Sequence, residues 1–164
     1  MNSTLDNLKK LLHEYGHSIN AQRTVIDVHS PNCIDANVPK SPGVYWIETT
    51  MPVDEMQEAL SIVLKKNKKT RKKAPYGTSI LKQQNSDFYV AYSGTKADLC
   101  DRLKQHLFNV GNSETVKLGC IINQHPFSQY QWRVSFAVID SYEFRYAVES
   151  WWRVNIGWPP FCLR

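Results

Sequence analysis

Arg102 and His106 stand four residues apart within the run YVAYSGTKADLCDRLKQHLF, residues 89–108. Leu99, Leu103 and Leu107 recur at the same interval and give that segment the buried stripe of a helix. Residues four apart share a helix face, so a permanent guanidinium and a titratable imidazole leave this helix side by side. Ahead of it, Phe88, Val90 and Tyr92 alternate with Tyr89 and Ala91, as in a strand. Ser93-Gly94 is expected to turn the chain, and Thr95 with Asp98 to cap the helix. A strand ending in tyrosine, a glycine turn and a helix presenting Arg with His form a candidate anion site.

This run resembles the second half of the GIY-YIG nuclease signature, in which a Tyr-x-Gly turn leads into a helix carrying an arginine and then a histidine. Tyr92-Ser93-Gly94 stands for the turn, and Gly43-Val44-Tyr45 in SPGVYWIE for the first half of the signature. Glu149 in FRYAVESWWR stands for the family's metal-binding glutamate, and the likeness covers roughly residues 42–164. The resemblance implies that Tyr45, Tyr92, Arg102, His106 and Glu149 are catalytic, with Mg²⁺ (or Mn²⁺) held by Glu149. Tyr45 would activate water and Tyr92 position it. Arg102 would clamp the scissile phosphate, and His106 would orient the water, hold a tyrosine hydroxyl or protonate the leaving group. One carboxylate leaves most of an octahedral shell to water and phosphate oxygens, which Mg²⁺ accepts.

Each residue also has a plainer reading. Arg145 and Arg153 flank Glu149 at four residues on either side, so Glu149 alone reads as a member of exposed helix ion pairs. Arg102 alone reads as a solvated partner of Asp98, and Tyr45 and Tyr92 as two ordinary sheet tyrosines among eight. An unperturbed phenol, with a pKa of about 10, needs neighbouring positive charge to act as a base.

The charge is concentrated. Lys65, Lys66, Lys68, Lys69, Arg71, Lys72 and Lys73 supply seven of the 20 basic residues, leaving 13 against 15 acidic ones elsewhere. A loop over 65–87 carrying this run would displace counterions from phosphates without reading bases, which points to DNA, with RNA left open. The four cysteines are scattered without a CxxC pair, as in a reduced cytoplasmic protein. No apolar run is long enough to span a membrane, and Asp6, Lys9 and Lys10 interrupt what a secretion signal would need. A monomer or a homodimer is expected.

Of the 164 residues, 1–39 read as an N-terminal helix (4–15, stopped by Gly16) and an extended connector packed on the core. Residues 40–164 read as the nuclease-like domain, with an insertion over about 51–87 holding a helix after Pro52 and the basic loop. Strands are expected at 43–49, 88–92, 117–122 and 130–139, and helices at 96–109 and 143–155, the last with Phe144, Ala147, Val148, Trp151 and Val154 or Asn155 as its stripe. The expected fold is α/β (α+β): a small, mainly antiparallel three-stranded sheet of 43–49, 88–92 and 130–139, flanked by helices.

Three departures from the family stand out. The signature tyrosines are separated by the insertion, Ser93 replaces an aliphatic residue, and the family's C-terminal asparagine has no obvious counterpart. Asn155 lies early, and Phe161-Cys162 occupies the later position. The leading expectation is therefore a metal-dependent DNA endonuclease. A nucleic-acid-binding module with a degenerate nuclease fold is the alternative, and an adaptor using a Trp151-Trp152 face is a third.

Overall fold

The computed structural model describes residues 2–66, 87–111 and 117–162. Its core element is β2 (Gly43–Thr49), apolar on both faces from Val44 to Ile47 and buried at every position. Antiparallel partners lie on each side of it: β3 (Tyr89–Lys96) and β4 (Trp132–Val138), with β1 (Thr24–Asp27) pairing the far side of β4. The fold is thus α+β, with, among the described residues, a four-stranded antiparallel sheet ordered β1-β4-β2-β3 and five flanking helices. The three expected strands are present, and β1 is an addition to them. The segment 24–39 is not an extended connector: Thr24–Asp27 joins the sheet and Pro31–Asn37 forms α2.

Each face of the sheet buries its own apolar cluster. On one face, Tyr45 and Ile47 meet Ile34 of α2, Met56, Ala59, Leu60 and Val63 of α3 (Val53–Lys66), and Leu99, Leu103 and Leu107 of α4 (Leu99–Phe108). On the other, Val44 and Trp46 meet Val148, Trp151 and Trp152 of α5 (Tyr142–Asn155), with Leu12 and Ile19 of α1 (Ser3–Ala21) packed alongside. The alternation of a strand sends successive residues of β2 into different clusters, so one strand anchors both layers.

Several expectations about local structure are corrected. α1 runs through Gly16 to Ala21, and Gly16 packs against Trp151 of α5. A Cβ there would collide with the Trp151 indole, coming within 2.7 Å of Cε2. In an exposed helix, Gly→Ala stabilises by about 1 kcal/mol. Gly16→Ala is expected to do the reverse, by about 1–3 kcal/mol, since the indole must shift. A urea midpoint below the wild-type value checks this.

α3 extends through Lys66, so Lys65 and Lys66 belong to a helix and not to a loop; Lys65 is exposed. Lys68, Lys69, Arg71, Lys72 and Lys73 lie outside the described residues. α4 begins at Leu99, with Asp98 as its cap accepting from the Asp101 amide at 2.9 Å. Thr95 caps nothing and belongs to β3, which continues through Ser93-Gly94 instead of turning there. Residues 118–120 form a 3-10 turn in place of the expected strand.

α5 is rotated from its expected stripe. Arg145, Val148, Trp151 and Trp152 are buried, whereas Phe144 and Val154 are exposed. Trp151 donates to His13 Nδ1 at 3.2 Å and Trp152 to Asn20 Oδ1 at 2.8 Å, so the tryptophans bind α1 and form no adaptor face. Nearby, Glu48 is buried in β2 among Arg23, Arg133 and the Ser135 hydroxyl. A carboxylate so far from water needs such partners. Among the described residues no helix is long and apolar enough to cross a membrane.

Candidate active site around the edge strand

β3 is an edge strand, with α4 on one face of the sheet and α5 on the other. The candidate residues gather along it. From β2, Tyr45 meets His106 of α4, its hydroxyl 2.8 Å from Nε2, with both side chains almost wholly buried. Tyr92 of β3 stacks on Tyr45 at 6.1 Å between ring centroids and lies 4.6 Å from the His106 ring. From α5, Glu149 hydrogen-bonds to Thr95 of β3 and pairs with Arg153 at 2.6 Å. Arg102 of α4 is half-buried and close enough to act electrostatically on both tyrosines, as does Glu149. All five residues of the resemblance therefore converge, although they come from two strands and from helices on opposite faces.

Gly94 is what lets this cluster close. Tyr45 pairs across the sheet with Gly94, and its hydroxyl lies where a side chain would be. A Cβ at Gly94 would stand 2.5 Å from that oxygen. The glycine serves close packing within a strand, not a turn. Gly94→Ala is accordingly expected to push the Tyr45 hydroxyl off His106. A urea midpoint below the wild-type value in a protein with a native circular dichroism spectrum would match this, and an unchanged midpoint would refute it.

Burial sets the protonation of the cluster. It drives the Tyr45 phenol well above its ordinary range, helped by Tyr92 and Glu149 and opposed by Arg102. The Tyr92 phenol is likewise pushed up to about 12, burial again leading. Both are neutral at physiological pH, so neither is a resting phenolate. Burial also raises the Glu149 carboxyl, and the Arg153 ion pair and the Thr95 hydrogen bond work against that rise.

Several contacts that hold these residues are not evident from the sequence. Arg153 is fastened to the strand, donating from Nε to the Ser93 hydroxyl at 3.0 Å and from Nη2 to the Ser93 carbonyl at 2.6 Å. Its guanidinium also lies 5.3 Å from the Trp158 ring centroid. Thr95 holds Glu149, and Cys162 accepts from the Ser93 amide at 3.3 Å while the tail bonds β3 through Phe161 N and Ala91 O. The i,i+4 spacing of Glu149 and Arg153 is the visible signal. It suggests an exposed pair, but the two side chains are only 13% and 15% exposed. Asn155 is exposed and donates to the Trp151 carbonyl of its own helix. Among the described residues Phe161 and Cys162 of the C-terminal tail both reach the site strand.

The donor set suits a hard cation in a limited way. Among the described residues no group of three or more His, Cys, Asp or Glu could chelate a metal by itself. One carboxylate beside hydroxyls matches an ion that takes oxygen ligands and keeps much of its water, as Mg²⁺ does. Arg153 at Glu149 Oε1 shows that this carboxylate already receives positive charge. Comparison of the chain with protein-family models, curated proteins and solved structures gives no match.

Proposed function

We propose that the protein is a metal-dependent endonuclease of the GIY-YIG type, hydrolysing DNA phosphodiester bonds. The observation carrying this reading is the convergence of Tyr45, Tyr92, Arg102, His106 and Glu149 on one edge strand. Mg²⁺ on Glu149 would supply Lewis-acid polarisation of the phosphate and stabilise the departing 3′ oxygen. The chain's own residues account for the rest. Arg102 presents a planar fork to the phosphate and opposes the charge that builds up in the transition state.

Tyr45 and His106 form a proton path that does not need a phenolate. As the attacking water gives a proton to the Tyr45 oxygen, that oxygen passes its own proton to His106 Nε2, leaving an imidazolium. The 2.8 Å separation suits such a transfer. His106 thereby takes the role of holding a tyrosine hydroxyl, one of the three open to it from sequence. Tyr92, half-buried beside the pair, positions the water.

Incubating the protein with plasmid, single-stranded DNA and RNA, with Mg²⁺ or with a chelator, tests the reading. Cutting with Mg²⁺ and none with chelator is expected. If nothing is cut under any metal condition, the degenerate binding module takes its place. That second reading draws support from Arg153, which occupies one oxygen of Glu149, and from Cys162 in the place of an asparagine.

The seven cations of 65–73 are assigned to phosphate tracking. Neutralising them is expected to weaken binding evenly across sequences. The slope of log K against log salt should flatten by about 0.9 for each duplex phosphate no longer neutralised, or about 0.7 on single strands. Binding isotherms at several salt concentrations measure this, and an unchanged slope would remove the run from the interface.

A further inference from the structure

We propose that Arg153 is a positioning residue that couples metal binding to phosphate binding: clamped beside Glu149, it keeps the site from holding a divalent cation firmly until a phosphodiester arrives with it. The inference rests on Glu149 being the metal ligand and says when that ligand becomes available.

Arg153 is not a mobile surface cation. Two hydrogen bonds to Ser93, at 3.0 and 2.6 Å, fix its guanidinium to β3, and the tail places Trp158 against it. The Ser93 amide is in turn bonded by Cys162, so the anchor is itself held from the C-terminal side. The Nη2 atom stands 2.6 Å from Glu149 Oε1, with both side chains mostly removed from water. Solvent therefore screens the pair weakly, and a metal ion at this carboxylate would meet a fixed positive charge close by.

The charge balance then sets the order of events. Arg102, Arg153 and Glu149 all act electrostatically on Tyr92, and Arg153 is the cation in direct contact with the carboxylate. A divalent ion added alone would meet the fixed Arg153 guanidinium at the carboxylate it needs. A phosphodiester added with it contributes anionic oxygens to both the ion and Arg102. Metal and phosphate should therefore each tighten the other's binding, by the same factor, as linkage requires. Such coupling would also keep an unloaded protein from carrying an activated ion.

The test is calorimetric and needs no cleavage. Mn²⁺ is titrated into the full chain at mildly alkaline pH, alone and with a phosphorothioate-linked duplex that resists hydrolysis. Wild type is expected to bind Mn²⁺ at least about tenfold tighter with the duplex, and the duplex correspondingly tighter with Mn²⁺. In Arg153→Met, the free protein should bind Mn²⁺ about tenfold tighter than wild type, with the coupling reduced to match. Arg153→Lys, which keeps the charge and loses the fork, should retain most of the coupling.

Equal free-state Mn²⁺ affinity in wild type and a folded Arg153→Met protein would overturn the proposal. So would a wild type whose Mn²⁺ affinity ignores the duplex, a result that needs no variant to fold. Glu149→Gln separates this failure from failure of the underlying reading. If Mn²⁺ binding survives in Glu149→Gln, or is absent in wild type under both conditions, Glu149 is not the ligand and both ideas fall. If Glu149→Gln abolishes binding while Arg153→Met leaves it unchanged, only the role of Arg153 is lost.

Discussion

A Glu149→Ala protein is expected to fold, to bind DNA and to lose metal-dependent cleavage. The side chain stands at the meeting of α5 and β3, with Thr95 and Arg153 as its partners and the two tyrosines within its field. No second carboxylate joins it in a metal-binding group among the described residues, so no neighbour could take over its ligand role. Removing one member of a fully buried ion pair costs roughly 3–5 kcal/mol. Here Arg153 keeps both hydrogen bonds to Ser93, so the loss should fall below that range. Glu149→Gln preserves the shape and a hydrogen bond while lowering affinity for a hard cation, and should be nearly as inactive. Single-turnover cutting with Mg²⁺, beside binding measured by fluorescence anisotropy, distinguishes lost chemistry from lost affinity. Near wild-type cutting by a folded Glu149→Ala protein would remove the residue from the site.

Elements whose burial is one-sided or complete are readable as patterns. β2 shows an apolar run from Val44 to Ile47 and β4 an alternation of apolar and polar residues, and α3 and α4 repeat apolar residues at helical intervals. β1 has four residues and faces little of the core, so no alternation announces it. α2 does carry a local signal: Ser30 caps it, its hydroxyl accepting from the Cys33 amide, and Pro31 sits at the first position. Gly16 does not stop its helix because glycine has two uses there, and only the crossing of Trp151 reveals which applies. Gly94 misleads in the same way, its purpose being a tyrosine ring from a strand nearly fifty residues earlier in the chain. Arg145 hides in the sequence because a charged side chain in a helix reads as solvated. Arg153 hides for the same reason, since its partners on β3 are about sixty residues away.

The arginine of α4 should matter more than its histidine. Arg102→Ala is expected to lower the single-turnover rate by about 10² to 10³, the usual loss for a donor aimed at charge that develops in the transition state. Binding of uncut DNA should change less, because the interaction strengthens as the phosphate gains charge. Arg102→Lys should recover little, as an ammonium cannot reproduce a planar two-pronged contact. His106→Ala is expected to be slower than wild type but faster than Arg102→Ala, since Tyr45 could still pass a proton to water admitted to the vacated space. That variant also removes a buried ring and leaves the Tyr45 hydroxyl without its partner, so a loss of stability should accompany the slower rate. His106→Gln restores an acceptor near Tyr45 but does not hold a proton at neutral pH. It should therefore recover stability without recovering rate if His106 receives the proton from Tyr45. Recovery of both would reduce His106 to a support for the tyrosine, and full activity in Arg102→Lys would rule out a bidentate phosphate contact.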